Sequence, residues 1–423
     1  AMSQRTVFGA LKKRNIGVPN NRGAVDLEIL PVAAVSSTIS ACYRDDWESV
    51  VHKHLSTGLW QPNQEDLDVL IASLDEKKAA AMVKEFFSVG DISLDRWMLM
   101  AKGKVKPSRS DGIDGNVDHS QTILYLESKT VNSYYSSMMR RFKKVVDECL
   151  LPNIRLNAEE SSEQHESWFN STEAYRRSFP ATYCYASDIR CYDRSQENAI
   201  LRCESEWYRV HGIGPELLKK WEELFGQKKA IAMMFGLLTV LGMTGMSGDW
   251  KTLFRNGVVN MIAFVCSAQL QRRDIVVLDI KGDDMDAELA RPISVEGTAE
   301  RFSLTFNLSA KFADNPIRYM CKEFRIYSMG RWYHVADPWA RVQSLCTPIV
   351  VSGKSGLIDE RWQSLRADLR HYDNGILVDA VAEAAQKFYS LDFIPYGMAR
   401  GLSKLSSDFH SFVKFFGSPE FIS

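Results

Sequence analysis

From residue 182 onward the spacing of apolar side chains switches repeatedly between a period near two and a period near 3.6. That pattern predicts a strand over 182–189 running into a turn. Helices follow over 196–210 and 215–226, the second opened by Pro215 at a helix start. A strand pair is expected over 231–241 and a long helix over 249–271. Residues 275–281 and 285–289 read as two strands joined at Gly282-Asp283-Asp284, a hairpin. Another strand is expected over 304–311, where Leu304, Phe306 and Leu308 alternate with other residues. A second hairpin spans 318–328 and 332–335 around Met329-Gly330. After Asp337-Pro338 the chain turns mainly helical. Val381, Ala384, Ala385 and Phe388 recur at helical spacing there, and so do Phe409, Phe412 and Phe416. Residues 1–180 mix helical patterns with loops. The most loop-like piece is Pro107-Ser108-Arg109-Ser110-Asp111-Gly112, followed by Gly115-Asn116.

Helices alternating with antiparallel strands point to an α+β fold rather than a βαβ one. No GxGxxG or GxxxxGK[ST] loop is present, so dinucleotide and P-loop chemistry lose support. A chain of 423 residues is too long for one small core, and two or three lobes are expected. The most apolar stretch, 258–270, is shorter than the ~20 residues a bilayer needs. It also contains Asn260 and Gln269, so a buried helix is the better reading. No signal peptide is visible, and Ala1-Met2 reads as a cloning remnant of a chain cut from a larger protein.

Net charge is −1, which argues neither for nor against a nucleic-acid partner; the question rests on local patches. The 8 Cys include no CxxC pair, so structural zinc and a disulfide framework are not expected. His52 and His54 form only a His-x-His, a weak metal signal.

Three short signatures then change the picture. The first is Asp188-Ile189-Arg190-Cys191-Tyr192-Asp193. On a continuous strand, an odd separation would put Asp188 and Asp193 on opposite faces. Both reach one site only if the strand ends near Asp188 and the chain turns, as Arg194-Ser195-Gln196 permits. Alone, this pair is more often a surface feature. The second is Ser247-Gly248-x-x-x-Thr252-x-x-x-Asn256, at a loop-to-helix junction with Asp249 as a plausible cap. Thr252 and Asn256, four apart, share one helix face. Alone, this is a polar stripe. The third is Gly282-Asp283-Asp284 at a turn after an apolar strand, where Gly282 permits unusual backbone angles. Two adjacent acids there are costly unless solvated or neutralised, and a divalent cation neutralises them. By chance a Gly-Asp-Asp arises in about one chain in ten of this length, so it too decides nothing alone. Lys102, Lys104, Lys106 and Arg109 form a basic cluster before a Gly-rich turn, the charge an entering triphosphate needs. Together and in this order, the pieces match what a template-directed polymerase requires.

With these motifs the chain resembles the RNA-dependent RNA polymerases of positive-strand RNA viruses. Within them it is similar to the alphavirus-like superfamily, with tobamoviruses, closteroviruses and alphaviruses as relatives. Further matching segments are Lys13-Arg14-Asn15, Val105-Lys106-Pro107, Gln121-Thr122-Ile123 and Asp193-Arg194-Ser195-Gln196. Asn307-x-x-Ala310-Lys311, Tyr319-x-Cys321-x-x-Phe324 and Asp337-Pro338 complete the series. The resemblance covers roughly residues 1–350 and implies a right-hand fold. Fingers would be 1–182 and 212–244, the palm 183–211 and 245–335 with an antiparallel sheet plus helices, and a mainly helical thumb 336–423. It implies Asp188, Asp283 and Asp284 as ligands of two Mg²⁺ ions, with Mn²⁺ as a substitute. Asp193 and Asn256 would sense the ribose 2′-hydroxyl, and Ser247, Gly248 and Thr252 would shape the nucleotide and template site. Lys104, Lys106 and Arg109 would lie over the triphosphate, and Lys311 would protonate leaving pyrophosphate.

The expected partners are template and product RNA, ribonucleoside triphosphates, and other viral replication proteins such as a helicase and a capping enzyme. Through these, host membranes are expected, with membrane-associated replication complexes of the host cytoplasm as the location. A reverse transcriptase shares palm carboxylates but usually blocks the 2′-hydroxyl. A template-independent terminal nucleotidyltransferase would use the same metals without a template channel. A non-catalytic RNA-binding scaffold would keep the basic surface, yet its carboxylates would be expected to be lost, and here all three are intact.

Overall fold

The elements form where apolar spacing, caps and turn residues agree, and they depart from expectation where two periods fit the same residues. The structure is a computed structural model. It describes residues 26–55, 60, 63–74, 76–87, 96–101, 122–126, 128–158, 160–189, 192, 198–226, 228–232, 237–241, 252–345, 357–390 and 394–416. Its strands are β1 (Arg96–Ala101), β2 (Thr122–Leu126), β3 (Ile154–Leu156), β4 (Tyr183–Ile189), β5 (Lys228–Ala232) and β6 (Leu237–Leu241). They continue with β7 (Ile275–Lys281), β8 (Asp284–Leu289), β9 (Ala310–Asp314), β10 (Tyr319–Met320), β11 (Glu323–Ser328) and β12 (Arg331–Ala336). The chain forms two compact units, residues 1–158 with 187–313, and 159–186 with 314–423.

The first unit carries a sheet ordered β2-β1-β5-β6; a second sheet is ordered β3-β7-β8-β4-β9, and of its β4 only residues 187–189 belong to the first unit. β7 and β8 pair antiparallel, but β3 runs parallel to β7 and β1 parallel to β5. The sheets are therefore mixed, not purely antiparallel as expected. Parallel neighbours come from distant stretches of chain, which a local pattern does not reveal. For the same reason the short strands before residue 180 were not expected.

The helix Thr252–Ser267 is the spine of this unit. Val258, Val259, Met261, Ile262, Ala263, Phe264 and Val265 are all buried, so apart from Asn260 the helix is apolar and enclosed from 258 onward, the buried helix expected for 258–270. It stops short of Gln271, because Gln269 adopts a left-handed φ of 52°. At Gly257 its backbone comes close to β3 and β7: a Cβ there would lie 3.5 Å from Leu156 Cδ2 and 3.7 Å from Ile280 Cγ2. Helix Asn198–Val210 is fixed to it by a buried ion pair, Arg255 Nε donating to Glu204 Oε2 at 2.7 Å.

The strand expected over 304–311 is helical in its first three residues, 304–306. Helix Val295–Phe306 is capped by Ser294, whose Oγ accepts from the Gly297 N–H at 3.0 Å. Thr298, Phe302 and Phe306 form its buried stripe, four residues apart. Leu304 and Phe306 fit alternation too, but the cap and the longer stripe win. Asn307 in the left-handed region ends the helix, and the strand is β9. Phe312 anchors β9, its ring 5.8 Å from Phe264 and 5.3 Å from Phe302.

In the second unit, β10, β11 and β12 form an antiparallel sheet with the expected turn at Met329-Gly330; the single strand expected over 318–328 is broken in two, because Cys321 and Lys322 take left-handed φ of 53° and 64°. Helices Pro338–Leu345, Leu357–Asp368, Gly375–Tyr389, Ile394–Ser407 and Phe409–Phe416 follow. Phe324, Leu369, Tyr372, Val381, Ala385 and Phe412 share its core. Asp337 begins the first of these helices as its cap, accepting from the Trp339 N–H at 2.9 Å, with Pro338 at the favoured first position. It also accepts the hydroxyls of Tyr319 and Tyr389. Helix Ser162–Ser171 grips the outer strand. Asn170 Nδ2 donates to the Trp332 carbonyl at 2.9 Å while its Oδ1 accepts from the Trp332 N–H at 2.8 Å. Buried Glu166 accepts from Arg331, Arg370, His371 and the His334 N–H. Burial pushes its carboxyl up, but the hydrogen bonds from His371 and His334 and the nearby positive charge hold it at about 2. Among the described residues, no helix is long and apolar enough to cross a membrane.

Candidate active site

Strand order alone brings two of the signatures and Lys311 onto neighbouring strands. In β8-β4-β9, the strand carrying Asp188 lies between the one opened by Asp284 and the one carrying Lys311. β4 runs to Ile189 with Ser187 and Ile189 buried and Asp188 exposed, so the alternation turns this carboxylate to solvent. On β9 the exposed Lys311 precedes the buried Phe312, so anchoring Phe312 also fixes where Lys311 stands. Lys311 thus sits on a short strand after a helix, not at the end of an alternating strand as expected.

The β7–β8 turn is tighter than the three-residue junction expected. Lys281 pairs with Asp284, leaving Gly282-Asp283 as a two-residue loop. Gly282 has φ 64°, the left-handed first position that glycine takes in such hairpins. Asp283 is exposed at the tip and Asp284 half-buried. Along this hairpin Asp279, Lys281, Asp284 and Asp286 share one face, and Leu278, Ile280, Met285 and Ala287 share the other. The apolar face is the one the helix Thr252–Ser267 approaches at Ile280. The polar face carries a row that sequence reading did not single out: Arg155, Asp279 and Asp286 are in register across three strands, and both acids are fully buried.

Two more residues were missed. Asn260, fully buried, donates from Nδ2 to the carbonyls of Gly282 and Asp283, at 3.3 Å each. Tyr192, buried, donates its hydroxyl to the Asn256 carbonyl at 3.0 Å. A signal for Asn260 existed: Thr252, Asn256 and Asn260 are spaced by four on one helix. Tyr192 lay inside the first signature but had no evident partner. Asn256 is buried, and Thr252 is the first residue of the same helix. Asp193, Ser247, Gly248, Lys104, Lys106 and Arg109 lie outside the described residues, as do Asp249 and the loop at 107–116.

Carboxylate oxygens near solvent suit a hard cation such as Mg²⁺, which binds through one or two protein carboxylates and takes its remaining oxygens from substrate phosphates and water. Asp188 and Asp283 are exposed carboxylates and Asp284 a half-buried one, the chemical type such a cation takes. Among the described residues, no group of three or more His, Cys, Asp or Glu side chains converges closely enough to enclose a metal by itself.

A family model described as RNA dependent RNA polymerase matches residues 1–415. The chain belongs to this RNA-dependent RNA polymerase family. It is 23% identical over 414 residues to the RNA replication protein of Citrus leprosis virus C, covering 97% of this chain and 16% of that protein. Polyprotein P1234 of Venezuelan equine encephalitis virus is also 23% identical, over 445 residues, 98% of this chain and 16% of the polyprotein. The Replicase large subunit of Youcai mosaic virus is 23% identical over 322 residues, 75% of this chain and 19% of the relative. The chain thus spans less than a fifth of the length of these relatives.

Proposed function

We propose that this chain synthesises RNA on an RNA template from ribonucleoside triphosphates, as the polymerase part of a viral replication protein. The observation that carries the reading is the strand order β8-β4-β9, which sets Asp284, with Asp283 in the turn just before it, Asp188 and Lys311 on neighbouring strands of one sheet. In this reading a primer 3′-hydroxyl attacks the α-phosphorus of the incoming nucleotide and pyrophosphate leaves. Asp188, Asp283 and Asp284 hold two Mg²⁺ ions, which lower the hydroxyl's pKa and offset charge on the leaving oxygens. Asp193 and Asn256 recognise the ribose 2′-hydroxyl, and a site built for that bond rejects the deoxy analogue. Ser247, Gly248 and Thr252 shape the nucleotide and template pocket. Lys104, Lys106 and Arg109 hold the triphosphate, and Lys311 gives a proton to pyrophosphate.

The same reading assigns fingers to 1–182 and 212–244, palm to 183–211 and 245–335, and thumb to 336–423. RNA is gripped by its backbone and 2′-hydroxyls, with sequence left to base pairing. Helicase and capping proteins are the proposed partners, through which the chain works at membrane-associated replication complexes in the host cytoplasm.

Labelled ribonucleotide incorporation on primed and unprimed homopolymers tests the activity. The expected result is incorporation only of the nucleotide complementary to the template, dependent on Mg²⁺. Incorporation that ignores the template would instead establish a terminal nucleotidyltransferase. No incorporation with Mg²⁺ or Mn²⁺, but retained RNA binding, would establish a scaffold.

A further inference from the structure

Three hydrogen bonds tie the helix Thr252–Ser267, at positions one turn apart, to two different acid-bearing segments. Tyr192 is four residues beyond Asp188, and its hydroxyl is held by the Asn256 carbonyl at 3.0 Å. One helical turn further on, Asn260 donates to the Gly282 and Asp283 carbonyls. Those are the two central residues of the turn, and no strand partner reaches them, since pairing stops at Lys281 and Asp284. The orientation of the amide is unambiguous, because two carbonyl partners require the nitrogen. The helix that carries both contacts is stiff. It is enclosed in the core and close-packed on β3 and β7 at Gly257. Its Arg255, the residue before Asn256, is locked to Glu204 of a second helix.

We propose that Asn260 and Tyr192 are positioning residues for nucleotidyl transfer, fixing the Asp188 segment and the Asp283 turn to one helix and so setting the spacing at which the acids meet divalent cations. This rests on the polymerase reading given above. Neither side chain touches substrate in that reading; each acts through a backbone carbonyl. The general physics is that of groups behind a metal's direct ligands. They orient those ligands, and losing one typically weakens metal binding or activity about 10–100-fold.

The test uses the full chain as wild type, Asn260→Ala, Tyr192→Phe and Asp283→Ala. Mn²⁺ binding is measured by electron paramagnetic resonance on RNA-free protein, and the Mg²⁺ half-saturation of primer extension is measured in parallel. Asn260→Ala is expected to weaken Mn²⁺ binding about tenfold and to raise the Mg²⁺ requirement in step, with nucleotide KM at saturating Mg²⁺ unchanged. Tyr192→Phe removes one hydroxyl only and should move both readouts the same way, about threefold. A loss of general stability would lower the active fraction without moving either metal midpoint, and that outcome overturns the positioning role. Should Asn260→Ala fail to fold, Tyr192→Phe decides alone: an unchanged Mn²⁺ affinity in it overturns the proposal. A wild-type protein that extends RNA beside an Asn260→Ala protein of unchanged Mn²⁺ affinity overturns the positioning role and leaves the polymerase reading standing. A wild type no better than Asp283→Ala in both Mn²⁺ binding and extension overturns the polymerase reading, and this proposal with it.

Discussion

Two hairpins in this protein have two-residue turns but are held in opposite ways. In the first unit, the β7–β8 turn is gripped at its tip, where Asn260 bonds to the carbonyls of Gly282 and Asp283. In the second unit, the β11–β12 turn has a looser tip: a Cβ on Gly330 would meet nothing within 4 Å, and the exposed Met329 receives only a long contact, from Asn374 Nδ2 to its sulfur at 3.9 Å. That hairpin is gripped along its stem instead, by Asn170 at Trp332 and by Glu166 at Arg331 and His334. Both turns use left-handed backbone, at Gly282 in one and at Met329 with Gly330 in the other. Tight, left-handed loops are therefore common to both, and the place of the support is what differs. The β7–β8 turn is held through the carbonyls of its two loop residues, and the β11–β12 hairpin through the strand that follows its loop.

The comparison can be broken most sharply at Asp283. Asp283→Ala should cut incorporation below about a thousandth of wild type, the effect of losing several kcal/mol of transition-state stabilisation. The exposed tip residue should leave the denaturation midpoint almost unmoved, and a large shift in that midpoint would show that the turn is structural.

At the other hairpin the balance should reverse. Glu166→Gln leaves partly buried Arg370 and His371 without their carboxylate and should cost about 3 kcal/mol of stability by denaturant unfolding. The sign of its pH dependence is fixed. The folded carboxyl titrates at about 2 against an ordinary 4.5, so below 4.5 the unfolded chain binds more protons and the contribution fades. The stability gap between wild type and Glu166→Gln should be full above about pH 5 and close as pH falls from 4.5 towards 2. His334 adds to acid sensitivity, because burial, with Arg325 and His165 nearby, depresses its pKa well below 6.5. A gap that widens on acidification would contradict the clamp.

Asn170→Ala removes both bonds to Trp332 and should cost about 2 kcal/mol, read in the same unfolding experiment. The smallest effect belongs to Gly330→Ala. Space is open there, so only backbone strain at φ 79° remains, about 1 kcal/mol. Incorporation per folded molecule should be unchanged.

How much of this was readable beforehand divides along physical lines. Both hairpins, the Pro215–Gly226 helix and the helical C-terminal part follow from turn residues, Pro at a helix start and apolar spacing, all local. β3 was not readable, because Ile154-Arg155-Leu156 becomes a strand only by pairing with β7, more than a hundred positions away. Leu304 and Phe306 fitted two periods, and the Ser294 cap, ten residues upstream of Leu304, settles between them. In the site, Asp188, Asp283 and Asn256 were readable as types of residue in an order. Asn260 looked like a blemish in an apolar run, since its worth lies in two carbonyls on another element.

One consequence of the buried helix concerns inheritance rather than chemistry. Thr252, Asn256 and Asn260 sit on a single rigid rod, about one turn apart. In the polymerase reading proposed above, a substitution that rotates or shifts that rod would not alter sugar choice alone; it would also move the carbonyl that receives Tyr192 and the amide that holds the Asp283 turn. In that reading sugar choice and ion preference should drift together under selection. Revertants that restore growth after damage at the turn are expected to map to this rod more often than to the turn itself.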